Sequence, residues 1–477
     1  MKISLVNASP NTGFDERERR KSIASFPPLG ILYLASVLKE TGIEVSVLDQ
    51  PAEGLTMGET VNWVEKEDPD ILGFSTFSSS GRTAAAISHE VKEKNPNVII
   101  LFGNYYATFN AERIFKKYPS SVDVTVRGEG ENTIIELVDC FDNRGNLKEV
   151  HGITFKDGEK IVSTPDRPLI KDLDSIPFPD RRLIDAEYHC DIAGANVAPK
   201  KFTSIVSSRG CVYKCRFCSC TRFARNMWRP RSVENVLEEL CFLAGEGYEQ
   251  FIFTDDSFTL NQKRVIKLCR AIKKEKIDMD WICEGRVDNC SYEMLREIAK
   301  AGCKVLYFGI ESANQRILDY YNKQTTPQQS EAAVKSARKA QIDIVVGSFI
   351  VGAPNETREE IQNTIDFARR ISIDIPQFNI LGVYPGTDLW NEFEVAGLLD
   401  GGEYWETGIA VSEICPTAVP LAEIKRMIHD AFYGFVRRPS FILGQVARTL
   451  KSSYRMRVLM DNLSQIGEIR EGIRAVA

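Results

Sequence analysis

Three cysteines are spaced Cys211-Val-Tyr-Lys-Cys215-Arg-Phe-Cys218, just after a strand-like run at 202–206. One loop presents all three thiols. Thiolates in this pattern suit an iron–sulfur cluster, and three of them leave one iron of a 4Fe–4S cluster free to bind a small molecule. A set of four would make an electron carrier instead. A structural zinc ion is the other chemistry open to these residues; it needs a fourth Cys or His, and Cys220 is near enough to serve.

Such a loop needs a scaffold, and the residues around it supply a repeating one. Apolar runs at 203–207, 250–254, 280–284, 305–309, 345–351 and 377–381 alternate with helical patterns at 233–245, 262–275, 292–301, 328–340 and 358–370. Six βα units imply parallel strands with crossover helices. They fit a partial (β/α)6 barrel, in which chemistry gathers at the strand carboxyl ends. The polar residues fall at those ends: Asp255 and Asp256 after the second strand, Glu284 and Arg286 after the third, Glu311 after the fourth, with Ser348 inside the fifth.

The chain before this barrel also alternates. Runs at 3–6, 45–48, 71–75, 98–102 and 122–126 lie between helical patterns such as 29–41 and 83–94, the mark of a doubly wound α/β domain. Its ligand would sit at the strand carboxyl ends, where the loops carry Ser9, Asp49, Ser75, Thr76, Ser78, Gly103, Asn104, Gly128, Glu129 and Gly130. The Gly-x-Gly-x-x-Gly turn of a dinucleotide-binding domain is missing after the first strand. Asp157-Gly158 marks a hairpin, and Pro165, Pro168, Pro177 and Pro179 mark an extended crossing between the two regions.

The Cys-x3-Cys-x2-Cys run, with Phe217 just before its last cysteine, resembles the radical S-adenosylmethionine superfamily. The segments Phe26-Pro-Pro-Leu-Gly-Ile-Leu-Tyr-Leu-Ala35, Val-Leu-Asp49 and Gly128-Glu-Gly-Glu131-Asn-Thr are similar to the cobalamin-binding domain found ahead of many such enzymes. The resemblance implies three cofactors: a 4Fe–4S cluster on Cys211, Cys215 and Cys218, S-adenosylmethionine chelated by its free iron, and cobalamin on the first domain. It also implies roles by position. Asp255 and Asp256 fall where the S-adenosylmethionine amino group is met, Arg286 suits its carboxylate, Glu311 its ribose or amino group, and Glu284 and Ser348 complete the set. Where cobalamin proteins with a His ligand read Asp-x-His-x-x-Gly, this chain reads Asp49-Gln-Pro51-Ala-Glu-Gly54. Proline has no donor atom for cobalt, so cobalamin is expected with its own base displaced and no His ligand.

Composition sets the outer limits. The chain has 477 residues, 43% hydrophobic and 26% charged, with a net charge of −6, which gives no electrostatic footprint for nucleic acid. No run approaches the ~20 apolar residues of a membrane span, and the N-terminus lacks a signal-peptide pattern. A cytoplasmic enzyme is expected, and its 12 cysteines suit a reducing interior. The expected domains are 1–140 for cobalamin, 141–195 as connector, 196–387 for the cluster and S-adenosylmethionine, and 388–477 as a helical part. That last region has ten basic against four acidic residues from Lys425 onward. It is expected to pack on the barrel, close the active site and set substrate choice.

Together these imply a cobalamin-dependent radical methyltransferase of the class B kind, passing a methyl group from S-adenosylmethionine via methylcobalamin to an unactivated carbon. The family includes a glutamine C-methyltransferase acting on methyl-coenzyme M reductase, so a glutamine Cα in a protein or peptide is the favoured acceptor, with a lipid or small molecule as the alternatives. Ferredoxin or flavodoxin would supply the electron. The rival reading on the same architecture is a radical cyclase or carbon–carbon coupling enzyme acting on a lipid or small molecule. The residues do not name a catalytic side chain.

Overall fold

The computed structural model describes residues 1–10, 26–400 and 402–463. Strands β1 (Lys2–Asn7), β2 (Glu44–Asp49), β3 (Ile71–Ser75), β4 (Ile99–Gly103) and β5 (Val124–Val126) lie parallel in the order β2-β1-β3-β4-β5. Alternation along each strand builds two apolar layers. Ile3, Leu5 and Leu101 pack with Leu29–Glu40 and Glu131–Asp142, while Val6, Leu72, Phe74 and Phe102 pack with Gly81–Lys94 and Asn104–Lys117. Every residue of β3 is buried, as befits a central parallel strand covered on both faces.

The Asp157-Gly158 hairpin forms, as β6 (Ile153–Asp157) and β7 (Lys160–Ser163), but it does not stand in a connector. It pairs antiparallel with β5 and extends the first sheet. An uncovered β5 would leave a row of unpaired backbone groups at the edge, so the first sheet runs on past residue 140 to Ser163. The chain then crosses to the second sheet through Arg181, which is buried and donates to Thr203 Oγ1 at 2.9 Å, Ser204 O at 2.6 Å and Glu239 Oε1 at 2.8 Å. A small hairpin, β8 (Asp191–Ile192) and β9 (Ala195–Asn196), follows.

The second sheet starts with β10 (Phe202–Ile205). The antiparallel pair β11 (Ser208–Arg209) and β12 (Arg229–Pro230) then closes the base of the cysteine loop. Strands β13 (Gln250–Phe253), β14 (Asp280–Arg286), β15 (Cys303–Glu311), β16 (Ile344–Val351) and β17 (Ile375–Ile380) complete six parallel strands in sequence order, with β10 and β17 at the two edges. Capping boxes at Thr326/Gln329 and Thr357/Glu360 start two of the outer helices. Strands β14 and β15 run further than their apolar runs foretell. Arg286 and Glu311 therefore sit on strand ends, with β15 bulged between Gly309 and Glu311.

The inner face is layered. Phe202, Ile252, Ile282, Val305, Ile344 and Val346 form an apolar floor at the amino ends of the strands, and Cys190, Ile192 and Val197 of the β8–β9 segment cover it together with Tyr454. Tyr454 belongs to the last described helix, Ser453–Leu463, and its hydroxyl donates to Val197 O. The C-terminal region packs on the barrel as expected, but its terminal helices do so away from the strand carboxyl ends. Helix Leu421–Val436 packs beside Arg358–Arg370 and the last helix seals the floor, opposite the strand ends where a substrate would enter. A short segment, Tyr404–Thr407, followed by β19 (Ile409–Ala410) paired with β18 (Gly382–Val383), instead reaches the first domain. Residues 464–477 of the expected closure region lie outside the described ones.

Tyr454→Ala removes the side chain that plugs the floor, and a cavity of that size costs about 3–5 kcal/mol. Tyr454→Phe keeps the ring and loses one hydrogen bond, about 1 kcal/mol. Thermal or denaturant unfolding should rank wild type, Phe and Ala in that order.

Candidate active site

The cysteine loop is anchored at both ends. Gly210 has φ +87°, and a Cβ there would lie 2.0 Å from Met227 O, so only glycine allows the turn. Its amide donates to Asp256 Oδ2 at 2.7 Å. Further on, Arg216 N donates to Tyr321 O at 3.0 Å and Leu389 N to Arg216 O at 3.1 Å, which fixes the middle of the loop to the barrel. Cys211, Cys215 and Cys218 are all half-buried. Burial pushes the Cys215 thiol up, against the opposing charges of Lys323 and Arg286. Cys218 is brought down to about 7, chiefly by a hydrogen bond from Cys220. Three thiols beside two cations form a donor set that fits a cluster bound through thiolates. Cys220, the fourth ligand a zinc ion would need, opens the Cys220–Phe223 helix and accepts from Tyr105 Oη at 3.4 Å.

The strand-end residues divide into bracing and open groups. Asp255 is buried and accepts from Ser207 N, Ser207 Oγ and Ser208 Oγ at 2.7, 2.7 and 2.5 Å, so it ties β10 to β13 and has no face left for a ligand. Glu311 takes φ +67°, a strained value for a glutamate, and pairs with Lys323 at 2.6 Å. Gly309 makes room for that pair, since a Cβ there would lie 2.6 Å from Glu311 Oε1. Arg286 is enclosed by Asp288, Lys323, Tyr213 and Cys215. Ser348 Oγ accepts from Asn379 Nδ2 at 3.1 Å. Glu284 differs from all of these. It lies across from Tyr307, makes no hydrogen bond among the described residues, and is open to solvent inside the barrel, where desolvation by the surrounding walls first and the charges of Glu311 and Asp256 next push its carboxyl up.

On the other side, a cavity of about 270 Å³ reaches from the first sheet to the cysteine loop. Leu5, Leu29, Leu34, Leu101 and Ile134 line its apolar depth; Ser75, Asn104, Gly128, Glu129 and Gly130 its edge; Val206, Ser208, Gly210, Phe223, Thr254 and Asp256 its far wall. At Gly30 and Gly128 a Cβ would project into open space, which leaves a cradle for a ligand. An apolar cleft inside an α/β domain with glycines along its rim suits cobalamin, which Leu5, Leu29, Leu101 and Ile134 would hold from the depth and Ser75 and Asn104 from the rim. Gly103 and Tyr105 also line it, and Tyr105 stacks on Phe223 with ring centroids 4.5 Å apart, joining the corrin domain to the cluster loop.

Several expected cobalamin contacts are engaged elsewhere. Asp49 accepts from Asn7 Nδ2 and Tyr188 Oη, both at 2.8 Å, and Gln50 Oε1 accepts from Ser9 N at 2.8 Å. The Asp49–Gly54 frame thus braces β1 against the crossing segment, and its residues do not line the cavity. None of the chain's four histidines lines the cavity. Thr76 Oγ1 donates to Gly103 O at 2.7 Å and shapes the β4 end. Ser78 is half-buried on the adjoining loop and does not line the cavity either. His189 pairs with Asp191 at 3.1 Å near the surface.

Glu129 is likewise a brace. It takes both nitrogens of the Arg229 fork at 2.9 and 3.0 Å, Arg209 at 3.1 Å and Ile170 N at 2.8 Å, while Glu131 takes Arg209 at 2.6 Å. The arginines come from the two short strands that close the cysteine loop, so this pairing locks one domain to the other. A second lock lies at Glu406, whose buried carboxylate accepts from Tyr106 Oη at 3.0 Å, Tyr118 Oη at 2.6 Å and Arg82 Nε at 2.9 Å and pairs with Lys117. The sequence reading missed Arg209, Arg229 and Glu406, because nothing local distinguishes a charge buried at a domain boundary from one in water.

Comparison with known proteins matches residues 205–368 to the radical SAM superfamily and residues 21–138 to the B12 binding domain. A methyltransferase of uncharacterised role from Pyrococcus horikoshii is 37% identical over 88% of this chain and 90% of its own length. The anaerobic magnesium-protoporphyrin IX monomethyl ester cyclase of Cereibacter sphaeroides is 31% identical over 82% of this chain and 63% of its own length. The solved structure of OxsB, a cobalamin-dependent S-adenosylmethionine radical enzyme with aqua-cobalamin and S-adenosylmethionine bound, shares the fold with a TM-score of 0.73 at 19% identity, covering 99% of this chain and 74% of that one.

Burial would raise the Glu129 carboxyl, but the hydrogen bond from Arg229 and the charges of Arg209 and Arg229 hold it below its ordinary 4.5. A depressed folded value gives stability above the unfolded value that is lost as pH falls through the folded one. Glu129→Gln should therefore cost roughly 3 kcal/mol near neutral pH, because it leaves the buried Arg229 without its carboxylate, whereas Arg209 keeps Glu131. The gap between wild type and variant should narrow as the pH drops below 4.5, read by chemical denaturation at a series of pH values.

Proposed function

The chain belongs to the cobalamin-dependent radical S-adenosylmethionine methyltransferase family, and from that premise we propose that it methylates an unactivated carbon of a small-molecule or lipid acceptor. When bound, the cluster supplies the electron that cleaves S-adenosylmethionine and the corrin supplies a transferable methyl group. The observation that carries the reading is the shared wall: Ser208, Gly210, Phe223 and Asp256 of the cluster domain line the same cavity as Ser75, Asn104 and Gly128 of the corrin domain.

The chain's own residues then have three tasks. Cys211, Cys215 and Cys218 hold the cluster, while Asp256, Glu311 and Ser348 hold S-adenosylmethionine at the barrel mouth. Glu284 and Tyr307, set above the apolar floor, meet the hydrogen-bond donors of the acceptor. The sealed floor keeps water from entering behind it. Val212 is exposed next to Cys211, which supports electron delivery by ferredoxin or flavodoxin from that side.

Acceptor class is supported by names. More distant relatives are a cytidylyl-2-hydroxyethylphosphonate methyltransferase, a hopanoid C-3 methylase and a bacteriochlorophyllide d C-8(2)-methyltransferase. These favour a small molecule or lipid over the glutamine of a protein. The cyclase relatives favour the second reading, radical ring closure without net methylation.

Two experiments test this. Replacing all three loop cysteines by Ala should abolish the reconstituted cluster absorbance and 5′-deoxyadenosine formation and leave corrin binding in place; reductive cleavage by that variant would refute the cluster. With candidate acceptors of each class, methyl transfer should give S-adenosylhomocysteine and 5′-deoxyadenosine in about equal amounts, one molecule donating methyl and one cleaved. Acceptor-dependent 5′-deoxyadenosine without matching S-adenosylhomocysteine would reject methylation in favour of cyclisation, and a peptide glutamine as the methylated product would reject the acceptor class.

A further inference from the structure

Arg286 is held in a way that leaves its expected ligand no room. A guanidinium offers five N–H groups, and a bidentate carboxylate needs two of them side by side on neighbouring nitrogens. Nε and one Nη2 hydrogen go to Asp288 at 3.0 and 3.1 Å, and the other Nη2 hydrogen goes to Lys323 O at 2.6 Å. Both forked edges include Nη2, so neither is free. One face of the plane is covered by the Tyr213 ring, 3.5 Å from the guanidinium carbon, and Asn289 Nδ2 donates to the Tyr213 hydroxyl and fixes that ring. What remains is Nη1, which lies 3.8 Å from Cys215 Sγ. The side chain is buried, with Arg286 9% exposed, so this contact is shielded from water.

We propose that Arg286 is a positioning residue for the iron–sulfur cluster, fixing Cys215 and raising the cluster's reduction potential through an N–H···S hydrogen bond, and that it does not bind the S-adenosylmethionine carboxylate. Hydrogen bonds to the sulfurs and the surrounding charge are among the terms that set such potentials. A donor aimed at a ligand thiolate draws off charge and favours the reduced cluster. Asp288, Lys323 O and Tyr213 keep the donor in place, which is why they surround it. The inference rests on the cluster reading above.

The test uses full-length enzyme reconstituted anaerobically, as wild type, Arg286→Gln and Arg286→Lys. Redox titration followed by electron paramagnetic resonance should show the midpoint potential shifted to more negative values in both variants, and further in Gln than in Lys. S-adenosylmethionine affinity should change little, whereas loss of a carboxylate clamp would weaken it by roughly tenfold or more. An unchanged potential overturns the proposal, whether or not affinity falls. A second measurement needs no variant: wild type grown with guanidino-¹⁵N arginine should show a ¹⁵N coupling to the reduced cluster by electron–nuclear double resonance. Its absence overturns the proposal even if the variants fail to load a cluster, while failure of wild type itself to bind iron and sulfide would strike the cluster reading instead.

Discussion

A carboxylate taken out of water has to be fully paired, and Glu129 is where this fold meets that constraint between its two domains. The Arg229 fork, Arg209 and the amide of Ile170 satisfy it together. Because the arginines lie on the strands that close the cysteine loop, the pairing sets where that loop stands relative to the corrin cavity. Breaking one partner leaves a buried charge uncompensated, so alternative placements of the two domains are costly. The same logic repeats at Glu406, which draws Tyr106, Tyr118, Arg82 and Lys117 of the first domain around the segment that follows the barrel. Trp405 adds a stacked contact on Tyr106, with ring centroids 5.6 Å apart.

Within the barrel the chemistry is stratified by strand alternation. Side chains at the amino ends make a dry floor, Glu284 and Tyr307 stand above it, and Arg286, Ser348 and Glu311 lie nearer the mouth. Most of the charged groups there are satisfied by other protein groups: Asp255 by two serines, Glu311 by Lys323, Arg286 by Asp288. Glu284 alone among these strand-end groups makes no hydrogen bond among the described residues.

Much of this was legible in the chain. Short apolar runs separated by helical patterns revealed both sets of parallel strands, and the three-cysteine spacing marked the cluster loop. Glycines at 103, 128 and 130, placed by the sequence at strand carboxyl ends, do line the cavity. Roles of individual charges were not legible. Asp49, Asp255, Glu129 and Arg286 all stand at strand ends, where ligands bind, but each is occupied by a partner 2 to about 139 positions away in sequence. Local pattern cannot show such pairings. Nor could it show that the terminal helix seals the floor, since Tyr454 reads like any other aromatic on a helix.

One cavity, flanked by the Glu129 pairing, is lined both by the corrin domain and by the base of the cysteine loop. The most direct test of that arrangement is the Co(II) electron paramagnetic resonance signal of the enzyme loaded with both groups, recorded with the cluster oxidised and then reduced. Reducing the cluster should broaden and relax the cobalt signal through spin–spin coupling, and Glu129→Gln should weaken this effect. A cobalt signal indifferent to the state of the cluster would contradict it.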